Sequence, residues 1–301
     1  MNILQRSWQK IIPYRLLVFV RFVLEPKDLK ARRMKVLDHF KNTDPNTLAP
    51  EIREGLKYLK SQKYASFPFR WTQKYDTLLP EVYRDEPNQC FYVLFEGKRM
   101  YFPKRYNETR VIWSIRSIFK EQDAESPHLY LTPEFQVDQD SIIVDAGVAE
   151  GNFALSVVEK AKCLYLIECE AEWVEALKLT FAPWKEKVIF VEKFMSDSQG
   201  ESTVSIDSLI KPVPNEKYFI KMDIEGFEQK ALAGMKNLVN SGNQIKMNVC
   251  TYHQPTAFQE ISEILQDYGF EYEISNGYVL FFQPDEEPSF RKVLIRAKRL
   301  Q

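Results

Sequence analysis

Beyond Asp140 the chain alternates short apolar runs with longer amphipathic ones. The short runs are Ser141–Asp145, Leu164–Glu168, Val188–Glu192, Tyr218–Asp223 and Gln244–Tyr252. Their length, and the turn and charged residues that bound them, predict buried strands. Helices are predicted between them at Phe153–Lys160, Trp173–Thr180, Glu228–Asn240 and Phe258–Tyr268. Strands that alternate with helices imply an α/β domain with a mostly parallel sheet covered on both faces. Near the end, Ser275-Asn276-Gly277 separates Glu271–Ile274 from Tyr278–Phe282. Asn-Gly between two strand-like runs predicts a hairpin, so one terminal strand should be antiparallel.

The earlier part of the chain has a different rhythm. Residues 25–75 read as helical and polar, and Cys90–Phe102 as two short strands around Glu96-Gly97. Val111–Lys120 is predicted helical, and the chain turns at Ser126-Pro127-His128. This divides the chain into a mostly helical region (1–85), a small β/α cap segment (86–124) and the α/β domain (125–301).

Composition narrows the function. The chain has 301 residues, 45% hydrophobic and 28% charged, as a globular protein should. A net charge of −1 argues against a nucleic-acid partner. The four cysteines form no CxxC pair and there are three histidines, which argues against a structural zinc site and for a reduced, cytoplasmic setting. Charge is uneven, with ten Lys/Arg against three Asp/Glu in residues 1–41. There Pro13, Arg15 and Arg21 interrupt the apolar run Ile11–Leu24, leaving it too short to span a bilayer. It lacks a small-residue cleavage site as well. Residues 1–24 therefore suit a helix packed on the protein's own core or on a second copy in a homo-oligomer. The other reading is a basic helix touching anionic lipid at the inner face of the membrane.

The first candidate site is the turn Asp145-x-Gly147-x-x-x-Gly151 after the first strand. A dinucleotide turn needs a second close glycine so that backbone can approach a pyrophosphate. That glycine is missing, and an acid at the strand end would repel phosphate. The turn suits a cationic ligand without phosphate, such as S-adenosylmethionine. Glu168, at the tip of the next strand, is placed to accept hydrogen bonds from ribose hydroxyls, with Glu170 as the alternative. A third group, Lys221, Asp223, Glu225 and Glu228, interrupts an apolar strand and helix. Buried charges are costly unless paired or functional. Lys221 and Asp223 share one face of a strand, where they could pair with each other.

These residues resemble the FkbM family of methyltransferases. The likeness covers roughly residues 140–283. It rests on Asp145-x-Gly147-x-x-x-Gly151-Asn152-Phe153, Ile167-Glu168, Ile206-Asp207-Ser208-Leu209, and above all Lys221-x-Asp223-x-Glu225-Gly226-x-Glu228 with Leu232-x-Gly234. The resemblance implies a Rossmann-like class I fold with a seven-stranded sheet and S-adenosyl-L-methionine as cofactor. It also implies O-methylation of a hydroxyl on a sugar or natural product. The chain departs from the family at Val148-Ala149-Glu150 and at Cys169-Glu170. Glu150 adds a carboxylate beside the methionine end, either to hold its ammonium or to face the acceptor.

Methyl transfer to an alcohol needs alignment and a proton acceptor. His253 is favoured as base, with Asp223 orienting it, the acceptor or the cofactor, and the reverse assignment stays open; Lys221 and Glu225 complete the catalytic set. Asp223, Glu225 and His253 could also gather a divalent metal, but nothing in their spacing demands one and none is expected. His128 would cap the cleft from the loop before the first strand. After the third strand, Ser196 or Asp197 would bond the adenine amine, and Phe194 or Met195 would pack on its ring. The expected function is O-methylation of a glycan, glycolipid or related acceptor. The alternatives are a non-sugar small-molecule methyltransferase and a non-catalytic scaffold.

Overall fold

The structure is a computed structural model that describes residues 25–300. The reading of residues 1–24 as a packing or lipid-facing helix lies outside the described residues. Among the described residues no helix is long and apolar enough to cross a membrane.

In chain order the elements begin with α1 (Lys27–His39) and α2 (Pro50–Ser61), then β1 (Tyr83–Asp85), β2 (Cys90–Phe95), β3 (Lys98–Tyr101) and α3 (Glu108–Glu121). The α/β part follows with β4 (Ser141–Ala146), α4 (Asn152–Val157), β5 (Ala161–Ile167), α5 (Ala171–Thr180) and β6 (Val188–Val191). Next come β7 (Phe194–Met195), β8 (Thr203–Val204), α6 (Ile206–Leu209), β9 (Lys217–Met222), α7 (Glu228–Ala233) and α8 (Lys236–Asn240). The chain ends with β10 (Gln244–Cys250), α9 (Ala257–Asp267), β11 (Glu271–Ile274), β12 (Val279–Phe281), β13 (Ser289–Arg291) and β14 (Leu294–Arg299).

Two compact units form. One comprises residues up to Leu79 with Tyr278–Phe290, the other Pro80–Gly277 with Arg291 onward. Residues 86–124, expected as a separate cap, are thus part of the larger unit. In the small unit Val36, Tyr58, Leu59, Leu280 and Phe282 share an apolar core. Arg33 donates to Glu25 Oε1 at 3.1 Å, and the same oxygen accepts the Tyr64 N–H at 2.7 Å.

The large unit is built on a seven-stranded sheet in the order β11-β14-β10-β9-β4-β5-β6. The pairs β6–β5, β5–β4, β4–β9 and β9–β10 are parallel, while β14 is antiparallel to both its neighbours. Val144, Ile220, Met247 and Ile295, one from each of four adjacent strands, belong to one buried cluster. This burial drives sheet formation.

The expected terminal hairpin is corrected. β11 pairs with β14, and β12 pairs with β13 instead of β11. The antiparallel strand is Leu294–Arg299, whose Arg296, Lys298 and Arg299 disguise it as a polar tail. Arg296 is nonetheless buried, with Nη1 3.2 Å from Glu273 and Nε 3.3 Å from the Tyr130 carbonyl. The long helix expected over 228–240 is also two helices. A Cβ on Gly234 would lie 2.6 Å from the Ser196 carbonyl oxygen, so the helix yields there to a passing loop. Asp207 then caps the second piece, accepting the N–H groups of Asn237 at 2.9 Å and Leu238 at 3.0 Å.

Candidate active site

The carboxyl ends of β4, β5, β6 and β9 open onto one cavity of about 230 Å³. Parallel sheets bind ligands at this edge because loops and helix N-termini converge there. Gly147, Glu168, Asp223 and Glu225, all expected site residues, line it together with Trp173, Phe194 and Phe227.

Glu168 is the best-defined anion on the β5 side. One oxygen accepts the Ala149 N–H at 3.0 Å, the other the Glu170 N–H at 2.8 Å. A carboxylate offers about four acceptor sites, so capacity remains for two hydroxyls. Glu170 itself meets Arg105 at 3.4 Å. The turn is conformationally demanding. Gly147 has φ +74°, and a Cβ there would lie 1.9 Å from the Asp223 carbonyl oxygen. Gly151, at φ +78°, leaves room for Leu177, which a Cβ would meet at 2.7 Å. Ala149 (φ +46°) and Glu225 (φ +55°) adopt left-handed backbone without being glycine, and both line the cavity. Such strain concentrates at ligand-binding loops.

Asp145 is corrected as a contact for a cationic ligand. It is 0% exposed, and its cation is Lys221, whose Nζ lies 3.1 Å from Oδ1. Lys221 therefore pairs with Asp145 across adjacent strands and not with Asp223, and it donates to the Gly147 carbonyl at 2.6 Å. Burial opposes the Lys221 charge, but Asp145, Asp223 and Cys250 outweigh it and raise the pKa. The pair thus braces the floor of the turn. Gly151, Asn152, Glu150, Ser196 and Asp197 are not among the cavity-lining residues, whereas Phe194 and Met195 are. Asn152 borders a separate cavity. Burial raises the pKa of Glu150, and hydrogen bonding from Ser114 of α3 partly opposes this.

Asp223 is the centre of a second group. Tyr130 donates to Oδ2 at 2.9 Å and Tyr252 to Oδ1 at 3.2 Å. His128 Nε2 lies 3.5 Å from Oδ2 and His253 Nε2 3.4 Å from Oδ1. Burial would raise the Asp223 pKa, but His128, Lys221 and His253 overcome it and hold the carboxyl well below its usual range. Asp223 is thus a fixed anion and a poor base.

His253 is buried, and its Nδ1 lies 2.9 Å from Glu228 Oε1. Glu228, 0% exposed, also accepts the Ile224 N–H at 3.0 Å. Burial lowers the His253 pKa, yet Glu228, Asp223 and Glu225 raise it by more. The orienting acid is therefore Glu228, at Nδ1, leaving Nε2 directed at Asp223. Glu225 is peripheral, with its side chain 88% exposed and Oε2 3.7 Å from His253.

Sequence reasoning missed Tyr130, Tyr252 and Glu121. Burial lifts Glu121, at the end of α3, to about 7, with His128 pulling down and Glu150 and Asp223 pushing up. Position along the chain offered no signal for Tyr130. Its loop is pinned by Asn248, which donates to the Tyr130 carbonyl at 3.0 Å, and by Arg296.

Sheet order and cavity position define a class I methyltransferase fold. Residues 145–272 match the family model described as the methyltransferase FkbM domain. Among solved structures, the methyltransferase FkbM from Methylobacillus flagellatus KT is 18% identical, with 63% of this chain and 53% of that chain covered and a TM-score of 0.44. This chain thus spans about half the length of that protein. Precorrin-6y C5,15-methyltransferase from Geobacter metallireducens GS-15 is 13% identical, covering 55% of this chain and 83% of that chain at a TM-score of 0.37. An rRNA methylase from Streptococcus thermophilus is 12% identical, covering 55% and 90% respectively at a TM-score of 0.35. No curated protein matches the chain.

Proposed function

We propose that the protein transfers a methyl group from S-adenosylmethionine to a hydroxyl of a sugar-containing acceptor. The observation that carries the cofactor assignment is Glu168, whose carboxylate is held at the cavity wall by two backbone N–H groups with acceptor capacity to spare. That pair of acceptor oxygens fits the hydroxyls of a ribose diol. Phe194 and Phe227, 55% and 47% exposed, offer faces on which an adenine or a sugar ring can pack.

The cofactor supplies an electrophilic methyl on a sulfonium leaving group. The protein's part is to align the acceptor and take its proton. Asp223 lines the cavity and His253 stands behind it, so the hydroxyl proton is taken up at the Asp223–His253 pair, with Nδ1 of the imidazole engaged by Glu228. Asp223 beside Nε2 stabilises the resulting imidazolium. The glycan reading of the acceptor is supported by the FkbM relationship and the aromatic rim.

Calorimetric titration with S-adenosylmethionine and S-adenosylhomocysteine tests the cofactor. Glu168→Ala should weaken binding by roughly 10–100-fold, the value of one or two hydrogen bonds to a charged group. Folded wild-type protein that binds neither ligand would overturn the reading. Incubation with methyl-labelled cofactor and a panel of sugars and amines tests the acceptor, with label expected in an alkali-stable ether. Label confined to N-methyl products would refute the hydroxyl assignment.

A further inference from the structure

Around Asp223 the structure gathers more than methyl transfer requires. His128 Nε2 is 3.7 Å from Cys250 Sγ and 3.5 Å from Asp223 Oδ2. The three ligand atoms all lie within 4.8 Å of one another. They come from distant segments: the loop before β4, the end of β9 and the end of β10. Around a tetrahedral zinc ion, imidazole nitrogen sits roughly 3.3–3.6 Å from a carboxylate oxygen or a thiolate sulfur, given the usual bond lengths. The two measured separations are close to those edges.

We propose that His128, Asp223 and Cys250 form a binding site for a divalent zinc-class cation. Thiolate and imidazole together favour zinc over magnesium or calcium. A Cys250 thiolate and the Asp223 carboxylate would together neutralise a dication, with Lys221 already paired to Asp145. The hydroxyls of Tyr130 and Tyr252 bond the Asp223 carboxylate from outside the ligand set, as partners of a ligating carboxylate do. Three protein ligands leave a fourth position for water or a hydroxyl.

A second grouping, Asp223 with Glu228 and His253, is less suited. Its Glu228–His253 contact of 2.9 Å is a complete charge-assisted hydrogen bond in its own right. The sequence argument against zinc rested on the missing CxxC pair and the three histidines, and these ligands are brought together only by the sheet.

The test is titration of chelator-treated, reduced full-length protein with cobalt(II), read by the thiolate-to-cobalt charge-transfer band and by metal content. One equivalent per chain is expected, with the band lost in Cys250→Ser and kept in Cys169→Ser, where the cysteine is exposed. Tyr130→Phe should weaken affinity by roughly 10–100-fold as an outer partner of Asp223, which gives a second readout if Cys250→Ser does not fold. No band in the wild type, a band that survives Cys250→Ser, a band lost in Cys169→Ser, or unchanged affinity in Tyr130→Phe would each overturn the site. S-adenosylmethionine binding is measured on the same samples, so the failure of one reading is separable from that of the other.

Discussion

The two walls of the cavity are built in different ways. On the glycine-turn wall, backbone N–H groups of Ala149 and Glu170 converge on one carboxylate, Glu168. Turn conformation and a strand tip decide that geometry. On the other, Asp223 lines the cavity, and side chains from the 128–130 loop and from the chain after β10 meet behind it. Asn248 and Arg296 both hydrogen-bond the Tyr130 carbonyl and anchor that loop. The first wall is therefore sensitive to backbone shape, the second to the chemistry of its side chains.

Substitutions can pull the walls apart, and the largest effect is expected on the second. Asp223→Asn keeps shape but removes the anion beside His253 Nε2. It should lower the turnover rate by roughly 10²–10⁴, with cofactor affinity changed much less. Equal losses in rate and binding would mean the two walls act as one.

Next in size is Gly147→Ala. It combines a left-handed backbone, costing about 1–2 kcal/mol, with a clash against the Asp223 carbonyl, costing about 1–3 kcal/mol more. Gly269, at φ +73° with nothing within 4 Å of an added Cβ, is the control and should cost only the first amount as alanine. Denaturant unfolding compares them, and equal destabilisation would show that the close approach at Gly147 is unimportant.

Ala149→Gly should relieve backbone strain on the first wall and change stability by about 1 kcal/mol or less, because glycine's added chain entropy offsets the gain. Cofactor affinity measured alongside shows whether that strain positions the amide that holds Glu168.

The smallest effect is a pH response in the small unit. Burial raises the Glu25 pKa, but Arg33 and the Tyr64 N–H lower it by more. Its stabilisation is thus present above a carboxylate's ordinary pKa of about 4.3 and is lost as pH falls through the depressed folded value. Glu25→Gln should flatten that dependence in a melting series in acid. An unchanged slope would assign the acid response elsewhere.

Much of the first wall was legible in the chain. Asp145-x-Gly147-x-x-x-Gly151 marked the turn, and Ile167-Glu168 marked the acid that the cavity presents. The second wall was only half legible. Asp223, Glu228 and His253 stood out as charged or titratable groups near strand ends, but the partner of each was misread or left open. Lys221 was placed with Asp223 because both lie on one face of a strand, yet Asp145 on the neighbouring strand is its partner. Glu228, not Asp223, orients His253 through Nδ1. The expected hairpin failed for a related reason. Asn276-Gly277 does turn the chain, but it leads out of the large unit instead of back along β11.

By itself, then, the sequence determined the alternation of strands and helices from β4 to α9, apart from the break at Gly234, together with the glycine turn and the acid at the tip of β5. Apolar periodicity and turn chemistry act over a few residues, so they can be read along the chain. Only the tertiary structure decided that Leu294–Arg299 would lie between β10 and β11, and that Tyr130, Tyr252, His128 and His253 would meet at Asp223. Those contacts depend on strand order and on where loops are anchored. Both are set by burial of the whole core, not by any local stretch of residues.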